Sequence, residues 1–165
     1  MPSPMAPAPV VQRLVDDDRP WANSLVVERW GSTCMVTRGV VHDLTRLPGL
    51  VAWLGQERVG LLLYRPGSDA WEIVSLDSVL SAQGVGTALL DAVRQLAQAA
   101  GCRRLWLITT NDNLPALCFY QKRGFHLVAV YPDAVANARR LKPEIPLVGL
   151  DGIPLRDELE LELVL

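Results

Sequence analysis

Gly84 and Gly86 stand in the run Ser81-Ala82-Gln83-Gly84-Val85-Gly86-Thr87-Ala88, where a strand pattern gives way to a helical one. Two glycines at such a junction let the backbone turn tightly and come close to a ligand. The helix behind them opens with unpaired N–H groups and the positive end of its dipole, together a site for phosphate oxygens. The same glycines also suit a plain strand–helix turn, because a bare Gly-x-Gly is weak evidence. Leu89 stands where a dinucleotide fold carries its third glycine, and no Gly-Lys-Ser/Thr follows as in a Walker loop.

A second block lies one strand later: Asn113-x-x-Ala116-x-x-x-Tyr120-x-x-x-Gly124-Phe125. Taken with the glycine turn, it strongly resembles the GNAT superfamily of N-acetyltransferases, with the specific match running from about Arg58 to Tyr131. The resemblance implies an enzyme that moves the acetyl group of acetyl-CoA, by direct attack and without a metal, to a primary amine of a small molecule or a protein. It implies that the N–H groups of Gln83, Gly84, Val85, Gly86, Thr87 and Ala88 hold the pyrophosphate. The pantetheine arm is expected to pair with backbone near Leu76 and Ser78, like a short extra strand, and to pass the Asn113–Ala116 start of the second block. Asn113 is equally suited to cap the helix that follows it.

Two side chains take catalytic roles under the same resemblance. Acetyl transfer from a thioester passes through an oxyanion and expels a thiolate, so a nearby O–H donor lowers the barrier; Tyr120 is the candidate. Its alternative is a phenol packed on the inner face of its helix with the hydroxyl bonded to backbone. A base must also take a proton from the ammonium form of the acceptor, and Glu72 lies on the strand beside the expected acetyl site. Simple alternation puts Glu72 on one face with Val74, Leu76 and Ser78, and Asp77 on the other. An ionised glutamate near a strand's start is otherwise usually solvated. His42 is expected somewhere in an unassigned stretch, and His126 on a strand in a structural place.

The chain departs from the family pattern twice. Ser81 occupies a position where Arg or Gln is usual, and the turn between Leu76 and Gly84 is about two residues short, which leaves Gln83 as a substitute phosphate contact. The segment 132–156 is inserted before the last strand, with a helical stretch at Ala134–Leu141. Connections of this length are functional or unstructured in most domains. Ile145, Leu147, Val148 and Ile153 suggest a packed flap over the acceptor side; a structural arm or a dimer contact is the alternative.

These residues need a frame. Val10–Val15 reads as a strand, and Asp18 as the cap of a helix from Arg19–Pro20 to Gly31 that carries Trp21, Leu25 and Trp30. Leu50–Leu54 and Val59–Tyr64 form a hairpin around Gly55-Gln56-Glu57-Arg58, and Trp71–Ser78 a further strand. Val85, Leu89, Val93 and Leu96 lie on the apolar stripe of a long helix stopped by Gly101. Arg104–Thr109 is a buried strand, a second helix starts near Asn113–Pro115, and Phe125–Tyr131 is strand again. In Asp157–Leu165, Leu159, Leu161 and Leu163 alternate with Glu158, Glu160 and Glu162, predicting one face in the core and one in water. Cys34 to Leu47 fits neither strand nor loop clearly. The fold class is α/β: a mixed, mostly antiparallel central sheet with a splayed strand pair, flanked by helices, with the long insertion before the last strand.

The 165 residues suit one domain over residues 10–165 behind a disordered tail of residues 1–9. A formal charge of −2 lacks the basic footprint of a nucleic-acid binder. No apolar run reaches membrane-spanning length, and the N-terminus lacks the pattern of a secretory signal. Cys34, Cys102 and Cys118 have no spacing suited to zinc or a disulfide framework, so a cytoplasmic setting is expected. A homodimer is plausible by resemblance only. Two other functions share the fold: a non-catalytic acyl-CoA-binding sensor or interaction module, and an acyltransferase using a longer acyl-CoA.

Overall fold

Apolar runs too continuous for a half-exposed strand form the middle of the sheet. β5 (Glu57–Arg65) is buried from Val59 to Tyr64 and β6 (Ala70–Ser78) from Trp71 to Ser75, so both faces of this pair are covered. The computed structural model describes residue 1, residues 5–81 and residues 83–165. Of the expected tail, Pro2, Ser3 and Pro4 lie outside the described residues, and Met5–Pro9 enter no helix or strand.

Among the described residues, seven strands make one sheet, in the spatial order β1 (Val10–Arg13), β4 (Gly49–Leu54), β5, β6, β7 (Arg104–Thr110), β9 (Glu158–Val164), β8 (His126–Tyr131). All neighbours are antiparallel except β6 and β7. α2 (Val85–Ala99) crosses one face, burying Val85, Leu89, Val93 and Ala97 with Leu62, Ile73, Leu105 and Leu107. α1 (Arg19–Trp30) covers the other, where Ala22, Leu25 and Val26 meet Val51, Leu61, Leu63 and Val74. α3 (Leu114–Gln121) follows β7, and α4 (Ala134–Leu141) opens the insertion. Among the described residues no helix is long and apolar enough to cross a membrane.

The unassigned stretch is a separate two-stranded hairpin, β2 (Cys34–Thr37) and β3 (Val40–Asp43). Its pattern misleads because its two most deeply buried residues are polar. Thr37 and His42 are buried while Val40 and Val41 face solvent. Asp18 directly precedes α1 but does not cap it; its carboxylate accepts from Val15 N at 3.1 Å and Arg58 Nε at 2.9 Å. The glutamate face of β9 is not simply solvated either. Glu158 is buried, and Glu160 and Glu162 are half-buried against the Arg104 guanidinium.

Three of the five tryptophans lie in or against the core: Trp71, Trp21 and Trp53. Trp71 is buried and stacks on Tyr64 at 4.7 Å, whereas Trp21, Trp53 and Trp106 are half-buried and Trp30 is exposed. The insertion is a packed unit, held largely by polar contacts. Arg139 donates to the carbonyls of Ile145, Pro146 and Leu155, and Asp112 accepts from Leu150 N at 2.9 Å. Ile145 and Ile153 are half-buried, but Leu147 and Val148 are exposed, so the expected apolar packing is only partial.

Candidate active site

β6 and β7 pair from Ala70–Ile73 to Arg104–Leu107 and no further, although both strands continue. The β6 backbone from Val74 to Ser78 is therefore open towards β7, a free edge inside the sheet of the kind an extended ligand can complete. A bulge sits at the opening. Leu63 pairs with Ser75 and Tyr64 with Ile73, which leaves Val74 without a counterpart on β5.

The bulge overturns the expected sharing of faces. Leu76 packs with the α2 cluster, whereas Asp77 accepts from Trp30 Nε1 of α1 at 3.0 Å. Asp77 therefore lies with Glu72 and Val74 on the α1 side, and Leu76 lies on the opposite face. Alternation counts residues, and one extra residue reverses every side chain beyond it. Ser75, just past the bulge, keeps a buried hydroxyl with no hydrogen-bond partner among the described residues.

Glu72 is only 1% exposed, contrary to the solvated alternative. Thr37 Oγ1 donates to its Oε1 at 2.9 Å, and His42 Nε2 lies 3.8 Å from the same oxygen. Arg65 Nη2 is 2.9 Å from Oε2 as an ion pair without the alignment of a hydrogen bond. Burial pushes the Glu72 carboxyl up, against the pull of Thr37 and Arg65, with Glu160 adding a smaller push upward. Burial likewise raises Asp77, opposed by Trp30 and Arg29. Glu72, Arg65 and Trp106 also line a cavity of about 200 Å³.

Tyr120 is buried on α3 between Phe119 and Phe125, with ring centroids 5.1 and 5.3 Å away. Among the described residues its hydroxyl makes no hydrogen bond. Burial raises its pKa well above that of a free phenol, and the charge of Asp77 adds to the effect.

The two glycines divide their work. Gly84 caps α2 at φ 72°, a left-handed conformation, with open space where a Cβ would stand. A Cβ on Gly86 would instead meet Phe119 Cζ at 2.9 Å, so that glycine lets α2 and α3 touch. Gln83 is exposed beside the turn, Val85 is buried, and Ala82 lies outside the described residues. Asn113 Oδ1 accepts from Ala116 N at 3.2 Å, a true helix cap that leaves the Nδ2 donor for other use. The Ser78 carbonyl already accepts from Arg29 Nη2 at 3.2 Å.

One residue missed in the sequence stands at the α2 start. Arg123 Nε donates to Thr87 Oγ1 at 2.9 Å and Nη1 to the Phe119 carbonyl at 2.8 Å, with the guanidinium 3.7 Å over the Phe119 ring. It reaches the glycine turn from 36 positions away, so no local spacing points to it.

A family model described as the acetyltransferase (GNAT) family matches residues 12–125. The chain belongs to that family. Among curated proteins, it is 45% identical over 133 residues to the uncharacterized protein YdhI of Bacillus subtilis strain 168, covering 80% of this chain and 83% of YdhI. The uncharacterized protein YxbD of the same organism is 44% identical over 134 residues, covering 80% and 84%. Among solved structures, the IAA acetyltransferase from Bacillus cereus ATCC 14579 superposes at TM-score 0.73 with 23% identity, over 96% of this chain and 100% of that one. A GNAT family acetyltransferase from Elizabethkingia anophelis, solved with acetyl-CoA bound, gives 0.69 at 18% identity over 95% and 98%. At these identities the superpositions establish the shared fold. Family membership makes the protein an acetyl-CoA-dependent acetyltransferase.

Proposed function

We propose that this acetyltransferase is an N-acetyltransferase that acts on a primary amine through Glu72 and Tyr120. The observation that carries the reading is the interrupted pairing of β6 and β7, with a buried carboxylate, Glu72, on β6 and a buried phenol, Tyr120, on the helix that follows β7. Acetyl-CoA supplies the thioester carbonyl that a neutral amine attacks, and CoA leaves as the thiol. The residues present fit that co-substrate: the β6 edge at Leu76 and Ser78 lacks a strand partner towards β7, and the Ser75 hydroxyl lacks a hydrogen-bond partner among the described residues. The α2 start, from Gln83 to Thr87, offers N–H groups for phosphate oxygens, with Asn113 and Ala116 flanking the cofactor arm; the Ala88 N–H, expected in the same set, is instead spent on the Gly84 carbonyl at 3.0 Å.

Glu72 takes the proton that the ammonium acceptor must lose. Its burial makes it a stronger base, and Thr37 and Arg65 keep it ionised. Tyr120 stays a neutral phenol and serves as a hydrogen-bond donor, because its pKa is well above that of a thiol, about 8.5. The insertion and the β2–β3 hairpin close the acceptor side. Lys142 Nζ ties the two together by donating to the Cys34 carbonyl at 2.8 Å.

Arg123 supplies the phosphate-facing cation that Ser81 does not. Calorimetric titration with acetyl-CoA tests this placement. The native chain binds, and Arg123→Ala weakens binding about tenfold, as loss of one charged hydrogen-bonding group does. Equal affinity in the two proteins would remove Arg123 from the cofactor site, and no binding by the native chain would remove the function.

A further inference from the structure

The hairpin β2–β3 buries two polar side chains, Thr37 and His42, more deeply than any of its apolar ones, although Met35 beside them packs on the core. A lone two-stranded hairpin is marginal in water and ordinarily buries its apolar side. Here Val40 and Val41 are exposed while Thr37 and His42 are 6% and 4% exposed. Arg38 N donates to both Glu158 carboxylate oxygens at 3.2 and 3.3 Å, so the tip of the hairpin is pinned to β9.

The two buried groups form a chain with only one arrangement of protons that suits an ionised Glu72. Thr37 Oγ1 is 2.9 Å from Glu72 Oε1 and 2.6 Å from His42 Nε2. A hydroxyl carries one proton, and a carboxylate is the stronger acceptor. That proton therefore goes to Glu72, and His42 must donate its own from Nε2 to Thr37. Burial, then Arg65, lowers the His42 pKa, so the imidazole is neutral and its second nitrogen, Nδ1, carries no proton.

We propose that Thr37 and His42 are positioning residues of the acetyl-transfer site, an N–H···O–H···carboxylate chain that orients Glu72 and holds it ionised. The proposal rests on the reading of Glu72 as the base. The groups facing Glu72 are His42 from β3, Thr37 from β2, Arg65 from β5, and Glu160 and Glu158 from β9. Arg104 binds Glu160 and Glu162, and Tyr131 donates to Glu160 at 3.0 Å, which moderates the acidic side. Against burial and two neighbouring carboxylates, Arg65 and the hairpin chain are the groups that favour the charged form. Chain order thus explains a hairpin that would otherwise bury polar atoms for no return.

Side-chain NMR on the full-length protein tests the chain without needing the acceptor. Nitrogen shifts of His42 are expected to show a neutral ring protonated at Nε2. The carboxyl carbon of Glu72, assigned by its loss in Glu72→Gln, is expected to titrate about one pH unit higher in Thr37→Val, the size of one lost hydrogen bond to a charge. Thr37→Ser restores the native midpoint, and His42→Gln, which keeps an N–H donor, stays close to it. Proton placement on Nδ1, or an unmoved Glu72 midpoint in a Thr37→Val protein that still binds acetyl-CoA, would overturn the chain. If Thr37→Val does not fold, the His42 tautomer in the native protein decides. Full turnover by Glu72→Gln would instead overturn the base reading and with it the catalytic purpose of the chain, a result seen in kinetics and not in these titrations.

Discussion

Glu72→Gln lowers kcat by about 10²- to 10⁴-fold at neutral pH and leaves acetyl-CoA affinity unchanged. Glutamine keeps the shape and can still accept from Thr37, so the loss isolates the proton-accepting role. The pH profile carries a second signature. A base works in its ionised form, so activity rises with pH through the Glu72 pKa. Burial displaces that pKa upward, so the acid limb of the native enzyme lies above about 4.3, the ordinary glutamate value. The limb disappears in Glu72→Gln. If the variant keeps native kcat and the same acid limb, another group is the base, and the buried carboxylates Asp77 and Glu158 are the next to test.

Tyr120→Phe is expected to lower kcat by about 10²-fold, the usual cost of one donor at a site of developing negative charge. The fold survives because the ring contacts with Phe119 and Phe125 need only the ring. Removing the hydroxyl also strands no polar partner among the described residues. A phenol donates only while protonated, so its loss of function would come as pH rises through its pKa. Burial and Asp77 move that pKa up, so the native enzyme shows no fall in rate attributable to Tyr120 up to about pH 10. Native kcat in a folded Tyr120→Phe would return Tyr120 to a packing role.

The frame of this site was legible in the sequence wherever side-chain periodicity decides structure. The Val85-to-Ala97 stripe, the strands either side of it and the left-handed stop at Gly101 all depend on local pattern. What local pattern missed has physical causes. The bulge at Val74 adds a residue that alternation cannot detect, and it moved Asp77 to the Glu72 side and Leu76 away from it. The β2–β3 hairpin hid because its buried residues are polar, as its contact with Glu72 requires. Arg123 reaches Thr87, and Asp112 reaches Leu150, only through the fold, at separations no motif records. The glutamates of β9 looked solvated because strand alternation is blind to what covers the polar face.

The most direct measurement is release of free CoA thiol from acetyl-CoA by the purified protein, with mass detection of the acceptor, across small diamines, amino acids and peptides with free α-amino or lysine groups. Propionyl-CoA run in parallel reads the acyl preference. Thiol release matched one for one by acetylated primary amine, and lost in Glu72→Gln, is the expected result. Tight binding of acetyl-CoA with no amine acetylated, and with thiol release no faster than in buffer, would contradict transfer and leave a binding module on this fold.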